Sequence, residues 1–479
     1  MSFRHLPSLL TLIIVLATPA VSLSAQQTPP VQPKIQPTPL PPPVELPLPP
    51  EPLPGGPAAP LTADEAARIA LRSQPDILTA TAGIEAAAGR VQQSRSGLLP
   101  TVSVTGGYTY TQGRLTGGTG GTGTGGTGGT GGTGGTGNFS TGSNASNWTG
   151  TVTARQLLFD FERTRNLVRQ STSLQRAATA NLTRVQQDLV FNVKQAFYTY
   201  TQDTRLVSVN EANVRNQQAQ LALAQAKLNV GLGLPSDVVR AQTAVAEAIQ
   251  NLDVARNNAS VSRVNLNRLM GIDARTPITA TEAGEPPVTI DDLNGLIQGA
   301  LRRRPEILQA QANLQAAQFG VSAARAFNAP QVSADVSAFT RGANFPPKQD
   351  AVSIGATLSW DPFDGGFTAG LVREARANVT IARADVERQR QVVTQDIATA
   401  YLNLRTNEQR VTTATAEVAN ATESVRLAEG RYRSGVGTFL EVTDAQTALL
   451  TANTNLVNAR SAVDQARAAL TRAIGAGLP

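Results

Sequence analysis

Four segments of the chain alternate apolar and polar residues, a pattern that predicts strands with two different faces. In the first segment, Val102, Val104, Tyr108 and Tyr110 alternate mainly with serine and threonine. Strands of about ten residues with one apolar face are typical of outer-membrane barrels, although a half-buried soluble sheet alternates in the same way. Because closing a barrel takes about eight strands, a barrel here would require an oligomer. The predicted strands lie at 101–111, 148–158, 331–340 and 351–360.

Two polar segments, from about 163 to 230 and from about 371 to 429, contain neither glycine nor proline. They predict helices on the order of 100 Å long. The segments that follow them carry an apolar residue every seven positions, with alanine or serine in the intervening layer, which favours coiled-coil hairpins at 163–270 and 368–474 over solitary exposed helices. The heptad residues are Val238, Val245, Leu252, Ala259 and Leu266 in the first hairpin and Val442, Leu449, Leu456, Val463 and Leu470 in the second.

Both hairpins turn at closely similar sequences, which begin at Leu228 and at Tyr432. Each sequence contains Gly-x-Gly, and Gly435 follows Gly231 by 204 residues (435 − 231). We expect the glycine to end the first helix and Ser236, or a neighbouring residue, to cap the next one.

The order of these segments occurs twice along the chain. Residues 304–308 repeat the pattern of residues 74–78, a step of 230 residues (304 − 74). The predicted repeats are 62–287 and 288–479, and a capping box at Thr62 and Glu65 is expected to open the first helix. The later step of 204 residues is shorter by 26 (230 − 204), so the first repeat contains an insertion.

The insertion includes a segment of glycine and threonine at 116–137. Its Gly118, Gly120 and Gly123 match the spacing of a dinucleotide-binding turn, but the repeat has no strand before it and no helix after it, so we reject that interpretation. A segment of this composition predicts an exposed, flexible loop.

Residues 1–25 are interpreted as a secretory signal peptide, with a short membrane anchor as the alternative. Residues 26–61 are expected to form an extended, proline-rich leader, and no later apolar segment is long enough for a membrane helix. The chain has no cysteine, and its one histidine is His5. These counts exclude disulfides, thiolate metal sites and histidine-based catalysis from the mature chain, so we expect no enzyme, cofactor or metal centre. The net charge of +6 is thinly spread, which predicts no nucleic-acid partner.

Several motifs give the chain a family resemblance. They are Arg304-Pro305-Glu306-Ile307, Phe363-Asp364-Gly365-Gly366, and the two turns that continue into 237–242 and 441–446. Together with the duplicated order of segments, they make the chain from about residue 62 onward resemble the TolC family of outer-membrane efflux channels. The first repeat departs from the pattern at 159–162, where the glycine pair is missing.

The resemblance implies a mainly α fold with a β membrane part, in which a homotrimer builds a barrel of about twelve strands on an α-helical barrel. It further implies a passive exit duct in outer-membrane lipid, which would bind a periplasmic adaptor and an inner-membrane pump. The alternative is a trimeric coiled-coil adhesin, but the strand pairs here are internal and duplicated, whereas the anchor of such adhesins typically occurs once, at the C-terminus.

The resemblance also implies a periplasmic gate at the hairpin tips. Tyr432 and Asp237 occupy the positions of a latch between hairpins, and Glu441 and Asp444 those of acidic rings. For Asp237 the alternative is a residue favoured by the helix dipole, and for Tyr432 simple packing. Gly437 stands where some relatives have an arginine latch. The expected adaptor contact comprises Gly231, Leu232, Gly233, Gly435, Val436 and Gly437.

Overall fold

The computed structural model describes residues 61–111, 145–281 and 292–476. The predicted signal peptide, nearly all of the leader and the loop at 116–137 lie outside the described residues. The predicted fold class, mainly helical with four strands and two long helical hairpins, is confirmed. None of the described helices is both long enough and apolar enough to cross a membrane.

Eight helices and four strands make up the described parts of the chain. Their bounds are α1 Ala63–Ser73, α2 Pro75–Ser96, β1 Thr101–Thr111, β2 Ala145–Phe159, α3 Arg163–Asn229, α4 Pro235–Met270, α5 Leu293–Arg303, α6 Pro305–Arg325, β3 Gln331–Gly342, β4 Gln349–Ser359, α7 Phe367–Arg433 and α8 Phe439–Ala473. The helices α3 and α7 have 67 residues each, so each is on the order of 100 Å long.

The four strands form one antiparallel sheet in the order β1-β2-β3-β4. The register places Val102, Ala154, Val336 and Ile354 in a single row, so the apolar residues of all four strands share one face. That face is uncovered in the single chain, where Ile354 is 79% exposed. Within the described chain, β1 and β4 each pair on one side only, so the sheet has two open edges.

Small residues along α4 and α8 form the buried layer of both hairpins. Helix α4 packs on α3, α8 packs on α7, and α3 also contacts α8, α6 and α2. The predicted heptad seam is therefore present, because small side chains let each return helix approach the longer helix closely along the whole length of the return helix. Its buried small residues are Ala241, Ala248, Ala255 and Ser262 in α4, and Ala445, Ala452, Ala459, Ala466 and Ala473 in α8.

The helix starts agree with the sequence at one position and differ at another. At Thr62 the predicted capping box with Glu65 is complete. The expected cap at Ser236 is wrong, because α4 already begins at Pro235 and Ser236 lies inside the helix. The capping position is Leu234, whose side chain makes no capping hydrogen bond. Proline suits this first helical position, since its φ is already helical and it has no amide hydrogen to satisfy.

In each repeat, the corner between the second strand and the long helix that follows it has the same backbone shape but different residues. Gly365 and Gly366 have positive φ of 64° and 90° before α7. Phe161 and Glu162, 204 residues earlier, have φ of 53° and 64° before α3, although neither is glycine. The missing glycine pair therefore leaves the corner intact and places two side chains in a strained left-handed conformation.

The duplication is also visible where each hairpin ends. The Gln74 side chain donates to the carbonyl oxygens of Arg268 and Leu269, both at 2.6 Å. In the second repeat the buried Arg304 occupies the place of Gln74 and donates to the carbonyl oxygen of Ala473 at 3.0 Å. Both side chains thus satisfy carbonyl groups that the end of a helix leaves free.

Arg304 additionally carries two ion pairs that the uncharged Gln74 cannot form. Its guanidinium contacts Glu306 at 2.9 Å and Asp396 at 3.3 Å, and only 3% of its side chain is exposed. Three helices, α6, α7 and α8, therefore meet at one buried charge.

We expect Arg304→Gln to destabilise the protein, because it leaves Glu306 without its partner in a poorly solvated place. The variant should lower the free energy of unfolding by on the order of 3 kcal/mol. This is the lower end of the range for breaking a buried ion pair, because Asp396 is partly exposed. Arg303→Gln is the matched control, as Arg303 is exposed and loses the same charge. Equal melting temperatures of the two variants would contradict this role of Arg304.

Candidate functional site

The first glycine of each Gly-x-Gly supplies a left-handed turn. Gly231 has φ of 75°, and the amides of Gly231 and Leu232 donate back to the carbonyl oxygens of Leu228 and Lys227 at 3.0 and 2.9 Å. This pair of bonds is a Schellman motif, which satisfies the last carbonyl groups of a helix. The second turn repeats it with Gly435, at φ of 80°.

The second glycine of each turn makes room for the preceding helix. A Cβ atom on Gly233 would lie 2.8 Å from the amide nitrogen of Leu228, and one on Gly437 would lie 2.8 Å from the Cβ of Arg431. A side chain at either position would force the turn to shift. This explains in physical terms why Gly437, and not an arginine, fits the turn as it is built here.

The tips of the two hairpins pack together in one apolar cluster. Tyr432, 5% exposed, packs edge to face on Phe439 at a ring distance of 5.7 Å. Ala224 and Ala241 of the first hairpin bury against Val442 of the second. Because this cluster holds residues of α3, α4, α7 and α8, separating the hairpins would expose it.

The two predicted latch residues lie close together. Burial raises the pKa of Tyr432, and the nearby Asp237 carboxylate raises it further. The Tyr432 hydroxyl is nevertheless buried without a hydrogen-bond partner in the described chain. The structure thus places the Asp237 carboxylate close enough to raise the pKa of Tyr432 by its charge and by a weak polar contact, although no hydrogen bond to the hydroxyl meets the ordinary distance and angle limits among the described residues.

The two predicted ring carboxylates differ in their surroundings. Glu441 pairs with the Nε of Arg431 at 3.3 Å, and its amide donates to the capping hydroxyl of Thr438 at 3.2 Å. Asp444 is exposed, and no ion pair or hydrogen bond reaches its carboxylate from the described residues. The charge of Glu441 is therefore partly neutralised within its own hairpin, whereas that of Asp444 is not.

Near the tips, the sequence did not reveal two polar contacts that join the hairpins. Gln220 donates to Glu429 at 2.7 Å, and Lys227 donates to the carbonyl oxygen of Tyr432. A signal for the first was present, because Gln217, Gln220 and Ala224 follow the three- and four-residue spacing of a buried helical stripe. Glutamine at a seam position indicates a polar partner across the interface.

The apices of both turns present apolar side chains to solvent. Leu232 is 80% exposed and Val436 is 70% exposed. Both belong to the predicted adaptor contact, and the glycines beside them leave their side chains uncovered. An exposed apolar residue at the end of a hairpin of this length is suited to contact another protein.

A family model described as outer membrane efflux protein matches residues 66–272 and 296–476. The outer membrane efflux protein BepC of Brucella suis is 27% identical, over 53% of this chain and 57% of BepC. The outer membrane protein TolC of Escherichia coli is 23% identical, over 69% of this chain and 65% of TolC. The chain thus spans about half to two thirds of the length of these curated relatives.

Solved channels have the same fold. The outer-membrane channel OprN superposes with a TM-score of 0.73 at 21% identity, covering 87% of this chain and 90% of OprN. The open state of the Neisseria gonorrhoeae MtrE outer membrane channel gives 0.71 at 19% identity, covering 87% and 89%. At these identities, the likeness is one of fold.

We expect Tyr432 to ionise above the ordinary tyrosine pKa of about 10, because burial and the Asp237 charge favour its neutral form. The measurement is an absorbance titration of the phenolate, with the curve of Tyr432→Phe subtracted from that of the parent. Removing the negative charge in Asp237→Asn should lower this pKa, whereas Asp444→Asn is the control and should leave it in place. An unchanged titration in Asp237→Asn would show that Asp237 is not the neighbouring charge.

Proposed function

Because the chain belongs to the outer membrane efflux protein family, we propose that it forms the outer-membrane exit duct of a tripartite efflux or secretion system. In this role it passes substrates from an inner-membrane pump and a periplasmic adaptor to the outside, without making or breaking bonds. The family assignment favours this function over the adhesin alternative.

The open sheet is the observation that carries the proposal. Among the described residues, its edge strands β1 and β4 pair on one side only and so leave rows of free amide and carbonyl groups, which are costly in a membrane. Three copies joined edge to edge would close a barrel of about twelve strands, with the Val102 and Ile354 row facing lipid. The opposite face, rich in serine and threonine, would then line a wet interior.

The helices supply the length that such a duct needs. Each of α3 and α7 reaches on the order of 100 Å from the sheet, and their tips carry Leu232 and Val436. We assign these tips to the adaptor. The packing of Ala224 and Ala241 of the first hairpin into the same cluster as Tyr432 of the second supports a resting state in which the tips are held together.

We expect the mature chain to be a detergent-stable trimer in the outer-membrane fraction, because only oligomerisation closes the sheet. Light scattering on the purified protein measures the mass. Ile354→Lys should prevent assembly, since lysine facing lipid costs about 2–4 kcal/mol near the middle of the bilayer. Ser353→Lys, one position away on the other face, is the control and should assemble. A soluble monomeric parent, or equal behaviour of the two variants, would refute the proposal.

We further expect Asp444 to dominate block of the channel by multivalent cations added on the periplasmic side. Three copies of an unpaired carboxylate around one axis concentrate negative potential, whereas Glu441 is partly neutralised by Arg431. Asp444→Asn should therefore weaken block of single channels in planar bilayers more than Glu441→Gln does. The reverse order would mean that the ring lies at Glu441.

A further inference from the structure

One lysine near the hairpin tips contacts both turns. The carbonyl oxygen of Lys227, in the last turn of α3, accepts the amide of Leu232 at 2.9 Å in the first turn. Its ammonium donates to the carbonyl oxygen of Tyr432, in the last turn of α7. That same oxygen accepts the amide of Gly435 at 3.2 Å and so helps to close the second turn. Lys227 thus joins two turns that are more than 200 residues apart in sequence.

The ammonium also lies over the aromatic ring of Tyr432, with Nζ 3.9 Å from the ring centroid. A lysine ammonium is a compact charge with three donors, so it can direct one hydrogen at a carbonyl group while its charge faces a ring. A positive charge at the end of α7 also complements the dipole of that helix. Both contacts use the main chain and the ring of Tyr432, and neither uses its hydroxyl.

Near the tips, the other polar groups that could link the hairpins are less suited to holding the turns. The bond from Gln220 to Glu429 lies about two helical turns above Lys227 on α3, farther from the tip. The Tyr432 hydroxyl, near Asp237, completes no hydrogen bond in the described chain. Lys227 is therefore the link that acts directly on the turns.

We propose that Lys227 is the positioning residue that holds the two hairpin turns together in the closed state, independently of the Tyr432 hydroxyl. The contact is a property of the folded chain. Its consequence, that separating the turns opens the entrance, rests on the proposed function. Tyr432→Phe then leaves the turns joined, since it keeps both the carbonyl group and the ring, whereas loss of the Lys227 charge releases them.

The absence of cysteine from the chain allows a direct test. Ala428 belongs to the cluster between the hairpins and is 9% exposed. An Ala428→Cys reporter in the full-length protein should react slowly with a maleimide while the hairpins are joined. Lys227→Met should raise the rate several-fold, Tyr432→Phe should leave it near that of the reporter alone, and Lys227→Arg should give an intermediate rate. Arg240→Met is the matched control, because it removes one positive charge from the same hairpin where no described residue pairs with it.

Single-channel conductance, measured on the same variants, distinguishes the contact made by Lys227 from the proposed effect of that contact on the channel entrance. An unchanged alkylation rate in Lys227→Met overturns the role of Lys227, whatever the conductance. A raised rate with unchanged conductance supports the role of Lys227 and refutes the gate at the tips. Lys227→Gln, which removes the charge but keeps a donor, takes the place of Lys227→Met if the latter does not assemble, and it should also raise the rate.

Discussion

Close packing of long helices is the constraint on which the rest of this structure depends. Helices as long as α3 and α7 are stable only if they bury a continuous stripe, and a few aromatic residues could not supply one. Alanine and serine in α4 and α8 let these return helices lie close to α3 and α7 along the whole length of the return helix. The contact of α3 with α8 then ties the two hairpins to each other and fixes where their tips meet.

The two repeats show which features of this arrangement tolerate change. The corner before each long helix needs a left-handed backbone, and it keeps that backbone even where Phe161 and Glu162 replace the glycines. The end of each hairpin needs a donor to free carbonyl groups, and either Gln74 or the charged Arg304 supplies it. Backbone geometry and hydrogen-bond satisfaction are thus retained, while side-chain identity and charge vary.

The tips combine apolar packing with charges that are mostly compensated. Glu441 is paired with Arg431, Glu429 with Arg433, and Lys227 with the end of α7. Like charges gathered around the entrance of the proposed trimer would repel each other, so compensation within each hairpin would lower the cost of holding the tips together. In the proposed channel, Asp444, which forms no ion pair with any described residue, would then carry most of the field that a passing ion meets.

The sequence by itself determined the local features. Alternating apolar and polar residues predicted the four strands, heptad repeats predicted the seam of each hairpin, and Gly231 and Gly435 predicted the turns. These depend on residues close together in the chain, whose spacing reports directly on the face they share. Only the tertiary structure decided the partners of Glu441, Gln220 and Lys227, and placed the Tyr432 hydroxyl near Asp237. The links of Gln220 and Lys227 join residues more than 200 positions apart. Their geometry follows from how two hairpins settle against each other, and small shifts there decide whether a hydrogen bond forms.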